Sequence, residues 1–261
     1  MNIPFYKYHG TGNDFVMIDN RSLFFPKENK EIVHHLCDRH FGIGADGLIL
    51  LENDAISDFK MIYFNADGSE STMCGNGGRC IVSFAHFLKI FSHTTTFSAM
   101  DGLHYAEIKN DLISLQMIDV REVKMHPEYV FTNTGSPHHV QLVSNIADFP
   151  VFSEGKKIRT ETYGKDGANI NFVEKIDEHT FKVRTYERGV ENETLACGTG
   201  VTAVAIAMHK TKNTYKKNIH LKVVGGELDV TFEVENDLYK NVFLKGPATQ
   251  VFKGTIDLQR T

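Results

Sequence analysis

Two cysteines, each at the start of a glycine-rich turn, form the pattern that most directly suggests chemistry. Residues 74–78 are Cys-Gly-Asn-Gly-Gly, and residues 197–200 are Cys-Gly-Thr-Gly. Both turns lead into an apolar segment with helical spacing, which predicts a cysteine at each helix N-terminus. Unpaired backbone N–H groups favour an anion there, and therefore favour the thiolate, which is the reactive form of cysteine. The same N–H groups can bind a carboxylate.

Two thiols that face each other across a cleft suit a reaction that takes a proton from one face of a carbon and returns one to the other. Racemisation or epimerisation of an amino acid makes this demand, with one cysteine starting as thiolate and the other as thiol. The weakly acidic α-proton also needs oriented dipoles that stabilise the carbanion. We therefore expect Cys74 and Cys197 to act as a pair of acid–base groups.

An internal repeat supports this pairing. The two motifs are 123 residues apart, from position 74 to position 197, and the same offset recurs along the chain. Constant spacing over several segments predicts one fold unit present twice, each copy bringing one cysteine to an equivalent place. The other matches are 11–12 with 134–135, 44–46 with 167–169, and Gly102 with Gly225.

The elements that would position the cysteines are strands around one apolar helix in each half. Helical spacing predicts helices over 28–40, 79–90 and 201–208. A sheet curled around the central helix would bury it on all sides, as its apolar character requires. Strands are predicted at 3–8, 15–18, 48–51, 60–64, 94–98, 104–109, 112–118, 129–133, 139–143, 169–173, 181–186, 219–224, 228–234 and 250–252.

The expected fold class is therefore α/β (α+β), with two pseudo-symmetric domains, each a curled, mostly antiparallel sheet around a hydrophobic helix. The N-terminal domain would span 1–118 and carry Cys74. A polar segment at 119–127 would link it to a C-terminal domain, 119–249, that carries Cys197. We expect the last strand, in 250–261, to return to the first domain.

Composition narrows the function classes. A net charge of −5 over 261 residues argues against a nucleic-acid or membrane-surface partner. No signal peptide or membrane span is evident, so we expect a cytoplasmic protein with reduced cysteines. No Cys-x-x-Cys pair occurs, which argues against a metal site. The other two cysteines, Cys37 and Cys80, fall within helical patterns and are expected in the core.

Two further positions are candidates for the same cleft. His138 is the one histidine of thirteen that falls inside a repeat-aligned turn. Glu187 and Arg188 follow a predicted strand, and Arg188 stands at offset 123 from Asn65, so both turns would precede a cysteine motif.

At this point the motifs resemble those of diaminopimelate epimerase, a family that works without pyridoxal phosphate. The matching stretches cover nearly the whole chain, and they are highly specific. They are 9–15 (His-Gly-Thr-Gly-Asn-Asp-Phe), 64–70 (Phe-Asn-Ala-Asp-Gly-Ser-Glu), 73–80 (Met-Cys-Gly-Asn-Gly-Gly-Arg-Cys), 186–189 (Tyr-Glu-Arg-Gly) and 196–200 (Ala-Cys-Gly-Thr-Gly).

The resemblance implies interconversion of LL- and meso-diaminopimelate, in lysine and peptidoglycan-precursor biosynthesis, with no cofactor and no metal. It implies Cys74 and Cys197 as the two bases, with His138 and Glu187 orienting them through hydrogen bonds. It also implies a homodimer. The residues implied to hold the reacting carboxylate are Gly75, Asn76, Gly198 and Thr199, and those implied to recognise the substrate are Asn13, Asn65, Asn169 and Arg188.

Two departures from the family pattern concern substrate recognition. Many members have asparagine where Ser136 stands, and some have glutamine near Gly47. Serine is shorter than asparagine and glycine offers no side chain, so both departures would act on affinity for the distal end of the substrate. Neither alters the two cysteines.

Three alternatives remain open from the sequence. The chain could be a related two-cysteine racemase for another amino acid, such as proline or hydroxyproline. It could be a non-catalytic binding protein on the same fold, which would bind diaminopimelate without proton exchange. A redox protein that uses a Cys74–Cys197 disulfide is the third.

Overall fold

The computed structural model describes residues 1–258. Clustering of backbone contacts divides the chain into two compact units. The first comprises Met1–Leu115 together with Pro247–Thr261, and the second comprises Gln116–Gly246. Each unit is a mostly antiparallel sheet with two helices, so the expected mixed α/β class is confirmed. Within residues 1–258, no helix is long and apolar enough to cross a membrane.

The first unit contains nine strands, one of them only two residues long, and two helices. Strand β18 returns from the end of the chain and pairs antiparallel with β1. The elements are β1 (Asn2–Gly10), β2 (Asn13–Asp19), α1 (Lys30–Cys37), β3 (Gly47–Glu52), β4 (Phe59–Asn65), β5 (Glu70–Ser71), α2 (Gly75–Phe87), β6 (Thr94–Ala99), β7 (Gly102–Lys109), β8 (Leu112–Gln116, whose last residue falls in the second unit) and β18 (Thr249–Asp257).

The second unit repeats this order. Its elements are β9 (Val123–Met125), β10 (Val130–Asn133), β11 (Pro137–Leu142), α3 (Val151–Glu161), β12 (Asn169–Lys175), β13 (Thr180–Glu187), β14 (Asn192–Thr194), α4 (Gly198–Lys210), β15 (Asn218–Val223), β16 (Gly226–Glu235) and β17 (Leu238–Pro247).

Strand pairing shows that the two units share one topology. In the first unit, β1–β2 is antiparallel, β2–β3 parallel, β3–β4 antiparallel and β4–β6 parallel. The corresponding pairs of the second unit, from β10–β11 to β13–β15, have the same directions in the same order. The two outer strands also correspond, because β9 pairs antiparallel with β10 as β18 does with β1. The repeat read from the sequence is therefore structural.

The central helix of each unit is buried on nearly every side. All residues of α2 from Gly75 to Val82 are buried, and it packs against β1, β2, β3 and β7. Helix α4 is buried from Gly200 to Met208 and packs against β10 to β13, β15 and β16. The alanine and glycine residues of α4, which have a small side chain or none, let the surrounding strands approach closely. These helices are the rigid supports on which the two cysteines stand.

The structure corrects three expectations. Helix α1 ends at Cys37 rather than at residue 40, because Asp38 is extended and its carboxylate accepts N–H bonds from His40 and Phe41. The sequence pattern does not predict helix α3, which is mostly polar and contains Gly155. Close packing leaves no room for a side chain at this glycine, since a Cβ there would lie 2.4 Å from Tyr186 Cβ.

The third correction concerns the register of the repeat. The offset is 123 between the first residues of α2 and α4, as expected, and between the last residues of β2 and β11. Strand pairing changes it in the next strands: Phe15 lies opposite Gly47, whereas His138 lies opposite Asn169. Asn169 therefore corresponds to Gly47, not to residue 46. By the same pairing the counterpart of Asn65 is Glu187, and Arg188 lies one residue beyond it.

Candidate active site

The glycine-rich turns place both cysteines at helix N-termini. Cys74 is the N-cap of α2, with an extended backbone, and its Sγ accepts a hydrogen bond from the Gly77 N–H at 3.2 Å. Cys197 is the N-cap of α4. Each sulfur thus lies where the first backbone N–H groups of a helix have no carbonyl partner and the dipole favours negative charge.

Glycine stands three residues after each cysteine, where a side chain would crowd the sulfur. A Cβ at Gly77 would lie 3.3 Å from Cys74 Sγ, and a Cβ at Gly200 would lie 3.2 Å from Cys197 Sγ. The chain therefore packs its first helical turn directly against the sulfur. This equivalence is the closest correspondence between the two units.

In the first unit, Asn13 joins Cys74 to the helix. The carboxylate of Asp46 accepts a hydrogen bond from Asn13 Nδ2 at 2.7 Å, so the amide oxygen of Asn13 faces the other way. That oxygen accepts from Asn76 Nδ2 at 3.2 Å and lies 3.9 Å from Cys74 Sγ. Asp46 thus fixes the orientation of a side chain that touches the cysteine.

Charged residues behind Asn13 hold this arrangement. Asp14 forms ion pairs with Lys7 at 2.8 Å and with Arg39 at 2.7 Å, and Arg39 also pairs with Asp46. Burial acts to raise the pKa of Asp14, but hydrogen bonds and charge from Arg39 and Lys7 outweigh it and hold that pKa at about 2. Asp14 is therefore ionised at neutral pH.

A fully buried arginine supports the first turn of α2 from beneath. The guanidinium of Arg79 donates to the Gly75 carbonyl at 3.1 Å, to Asn76 Oδ1 at 3.0 Å and to Thr11 Oγ1 at 3.3 Å. Burial lowers its pKa to about 10, against the influence of Cys80 and Cys74. The positive charge thus lies behind the first turn of α2, where it favours an anion.

The remaining residues of the first unit that are predicted to belong to the site do not all contact one another. Gly75 and Asn76 lie in the first turn of α2. Asn65 ends β4 and bonds Ser69, through its backbone N–H at 2.9 Å and its side chain at 3.3 Å. Gly47 lies opposite Asn65 and has no space for a side chain, because a Cβ would lie 2.6 Å from both Tyr63 Cε2 and the Phe64 carbonyl. The Gly47 departure therefore has a packing reason.

In the second unit, predicted residues from three strands converge. His138 and Asn169 are opposite each other in β11 and β12. The Asn169 side chain accepts the Arg188 N–H at 2.9 Å, which fixes the turn after β13. Arg188 then donates from its guanidinium to the Asp166 carbonyl at 2.9 Å.

The other predicted residues of this unit flank the same turn and helix. Glu187 accepts a hydrogen bond from the Thr194 hydroxyl at 2.9 Å. Cys197 Sγ lies 3.5 Å from the Thr199 hydroxyl. Ser136 lies in the 134–136 turn, which is bound to α4 because Thr134 Oγ1 donates to the Thr199 carbonyl at 2.8 Å. Gly198 is the first residue of α4.

His138 has an unusual environment. Its side chain is wholly buried, and Nδ1 lies 3.2 Å from Asn171 Nδ2. Burial, reinforced by the positive charge of Arg188, lowers the His138 pKa to about 3. The imidazole is therefore neutral at physiological pH.

Cys37 and Cys80 are buried in the core, as expected. Burial raises the pKa of both thiols, to about 12 for Cys37. They are therefore inert thiols and not part of the site.

Three residues at the site were not predicted from the sequence: Asp46, Arg79 and Asn171. Arg79 is one helical turn after Gly75, and Asn171 shares a strand face with Asn169. Both spacings are visible in the sequence, but neither distinguishes a buried polar group from a surface one.

Comparison with known proteins gives one consistent family. The family model described as diaminopimelate epimerase matches residues 5–121 and 130–251. A diaminopimelate epimerase from Flavobacterium psychrophilum is 60% identical over 253 residues, which cover 96% of this chain and 99% of that protein.

Solved structures extend the likeness in fold. A phenazine biosynthesis protein of the PhzF family from Bacillus anthracis superposes with a TM-score of 0.78 at 14% identity, covering 99% of this chain and 100% of the other. A hydroxyproline epimerase from Agrobacterium vitis, with bound trans-4-hydroxy-L-proline, gives a TM-score of 0.72 at 13% identity, covering 98% and 93%. At such identities these structures share the architecture alone.

Proposed function

The chain belongs to the diaminopimelate epimerase family, and from that premise we propose that Cys74 and Cys197 are the two acid–base groups of the reaction. The activity of the family is the epimerisation of diaminopimelate, an isomerase reaction of lysine biosynthesis. One observation carries the assignment of the cysteines. Each unit begins its buried central helix at a cysteine whose sulfur is in van der Waals reach of the first helical turn.

The proposed reaction exchanges one proton for another at the α-carbon. A thiolate removes the α-proton and becomes a thiol, while the electron pair stays on the substrate as a carbanion conjugated with the α-carboxylate. The thiol of the other cysteine then protonates the opposite face and becomes a thiolate. No net redox change occurs. The product leaves the two cysteines with exchanged protonation states, so the enzyme is ready for the reverse direction.

Helix N-termini supply the stabilisation of the carbanion in this proposal. The backbone N–H groups of Gly75 and Asn76 in one unit, and of Gly198 and Thr199 in the other, would bind the α-carboxylate as negative charge spreads onto it. Arg79 adds a fixed positive charge behind the first of these turns.

His138 and Glu187 would orient the cysteines and substrate through hydrogen bonds. Ser136, Asn13, Asn65, Asn169 and Arg188 would recognise the distal amino-acid end. Amide oxygens suit an ammonium group, and a guanidinium suits a carboxylate.

The setting of this activity is also part of the proposal. The two units would act as two domains, 1–118 with 250–261 and 119–249. A reducing cytoplasm would keep both thiols available. A homodimer follows from the resemblance to the family, and sedimentation analysis would test it.

The test is proton NMR of LL-diaminopimelate with the protein in deuterated water. We expect loss of the α-proton signal and appearance of the meso isomer. Cys74→Ala and Cys197→Ala should each abolish inversion, because one base alone can only return a deuteron to the face it deprotonates. Cys37→Ala is the matched control, since that thiol is buried in an apolar core cluster and its variant should still invert the substrate.

Three results would change the conclusion. Inversion that survives in either cysteine variant would refute the two-base assignment. Binding of diaminopimelate without any α-proton exchange would support a binding protein. Exchange with L-proline or hydroxyproline in preference to diaminopimelate would support the related racemase.

A further inference from the structure

The second unit contains a buried polar cluster that the two-base mechanism does not use directly. It consists of His138, Asn171 and Thr185, whose side chains lie on the adjacent strands β11, β12 and β13. His138 and Asn171 are completely buried, and Thr185 is nearly so. His138 Nε2 is buried and has no hydrogen-bond partner among residues 1–258. An unpaired buried donor or acceptor costs roughly 1–3 kcal/mol, so its retention calls for a reason.

The orientation of the Asn171 amide is fixed by its neighbours. Nδ2 lies 2.9 Å from the His139 carbonyl oxygen, which can only accept a hydrogen bond. Oδ1 accepts from the Thr185 hydroxyl at 3.0 Å. The nitrogen end of the amide therefore faces His138 Nδ1 at 3.2 Å.

This orientation determines the protonation of the imidazole. An amide NH2 group has no acceptor lone pair, so a proton on His138 Nδ1 would face another donor. Nδ1 must accept, and the single proton of the neutral ring then resides on Nε2. A doubly protonated ring would combine this clash with the cost of a buried charge.

We infer that Asn171 is a positioning residue that holds His138 in its neutral, Nε2-protonated form, so that Nε2–H is a fixed donor for an anionic group of the reaction. This inference rests on the proposed function for the identity of that anion, a thiolate or the substrate carboxylate. It excludes His138 as the proton-abstracting base, because the only nitrogen with a lone pair is occupied by Asn171. The vacant Nε2–H is the donor that such an anion would satisfy.

The charges around His138 agree with this assignment. Of the elements packed against β11, β10 has no titratable residue and β12 has Glu174 and Lys175 only at its far end. Helix α4 has Cys197 as its N-cap, and its titratable residues, His209 and Lys210, are in its last turn. Arg188, in the turn after β13, adds a positive charge that opposes protonation of the ring and helps to lower its pKa to about 3.

The internal repeat shows that the fold does not require this cluster. In the first unit Phe15 occupies the position of His138. When Ile49 is matched to Asn171, their strand partners Met17 and Val140 also match, and Phe15 and His138 lie two residues before these. Ile49 occupies the position of Asn171, because Ile49 Cδ1 faces Gly77 just as Asn171 Oδ1 faces Gly200. One copy therefore builds two of these three positions with apolar side chains, and Tyr63 stands at the position of Thr185. The polar side chains of His138 and Asn171 in the second unit therefore need a functional reason, because a buried polar pair stabilises the fold less than apolar packing of similar volume.

The experiment measures the tautomer directly, by 15N NMR of the histidine side chains of the full chain. His138→Gln identifies the signals of His138 among those of the thirteen histidines. In the wild type we expect a protonated Nε2 and an unprotonated Nδ1 that do not titrate between about pH 5 and pH 9. A protonated Nδ1, or titration with an ordinary histidine pKa, would overturn the inference.

Two substitutions test the part played by Asn171. Asn171→Asp places an acceptor against Nδ1, so His138 should gain a proton there and titrate, which adds an ionisation to the pH profile of kcat/KM. Asn171→Leu removes the donor, and the Nε2-only signature should be lost, with kcat lower by roughly tenfold to a hundredfold, the range known for partners that orient metal-bound histidines. An unchanged tautomer in both variants would overturn the inference.

A matched control separates positioning from general packing. Thr185→Val removes the bond to Asn171 Oδ1 but leaves the contacts of Nδ2, so the tautomer signature should persist even if the melting temperature falls. Loss of the signature in Thr185→Val to the same extent as in Asn171→Leu would indicate a merely structural role. Because the NMR reading needs no turnover, an inactive wild type would refute the proposed function while leaving the tautomer measurable.

Discussion

Gly77 and Gly200 occupy equivalent positions in the two units, but alanine should have different effects at each. At Gly200 a Cβ would lie 2.5 Å from Asn171 Oδ1, well inside contact distance, and that amide is held on both sides by hydrogen bonds. At Gly77 a Cβ would meet the terminal atoms of Ile49 at 3.1 Å and Met61 at 3.4 Å. These flexible ends can move by a few tenths of an ångström.

The magnitudes follow from these distances. Overpacking against Asn171 costs about 1–3 kcal/mol, and displacement of its amide breaks at least one buried hydrogen bond, about 1 kcal/mol. Replacing glycine by alanine in a helix returns up to about 1 kcal/mol. Gly200→Ala should therefore lower the free energy of unfolding by about 2 kcal/mol, or the melting temperature by about 4–8 °C. For Gly77→Ala the gain and the crowding nearly cancel, so the change should be under about 1 kcal/mol.

The assay is thermal unfolding of both variants beside the wild type, together with kcat for diaminopimelate. Gly200→Ala should also lose activity, because the displaced amide no longer holds His138. Equal losses of stability in the two variants, or a Gly200→Ala protein that melts like the wild type, would show that the close approach at Asn171 does not constrain the fold.

Three further substitutions have defined outcomes. Asp14→Asn should remove about 2 kcal/mol of stability at pH 7. The pKa of Asp14 in the folded protein, about 2, lies below its ordinary value of 3.8, so the contribution is present above pH 4 and is lost as the pH falls toward 2. The free energies of unfolding of the variant and the wild type, measured in urea, should therefore converge over that range. Arg79→Met leaves three buried acceptors without their donor and should lower the free energy of unfolding by about 3 kcal/mol. Arg79→Lys should restore part of this stability. Urea unfolding that is unchanged in Arg79→Met would count against the role given to Arg79. Gly47→Gln should lower the melting temperature by about 2–8 °C, because a Cβ would lie 2.6 Å from the Tyr63 ring, and a calorimetric scan with no loss would contradict this.

The parts of the site that the sequence predicts are those with a local cause. Cysteine followed by glycines marks a helix N-terminus because the tight turn and the approach of the chain to the sulfur both require glycine, and both cysteines are N-caps. Apolar runs mark the buried strands for a similar reason. These features depend on residues within a few positions of each other.

The parts that were missed depend on distant contacts. Helix α3 has few apolar residues and an internal glycine, and only the repeat offset from α1 indicates it. The one-residue change of register between β2 and β3 and their counterparts depends on strand pairing, which the sequence spacing does not reveal. Asn171 reads as an ordinary strand residue until the His139 carbonyl and His138 are seen beside it.

The comparison of the two copies also explains why the half-sites are not interchangeable. Both provide a cysteine, a glycine-rich helix start and oriented N–H groups, which are the parts that a two-base reaction needs twice. The polar residues differ: Gly47 and Asn65 in the first unit correspond to Asn169 and Glu187 in the second, and Phe15 corresponds to His138. A substrate with one reacting end and one recognised end is asymmetric, so its two ends need different contacts, which a symmetric site would not provide. Under the proposed function, these differences beside a shared helix N-terminus would let such a substrate bind in one orientation.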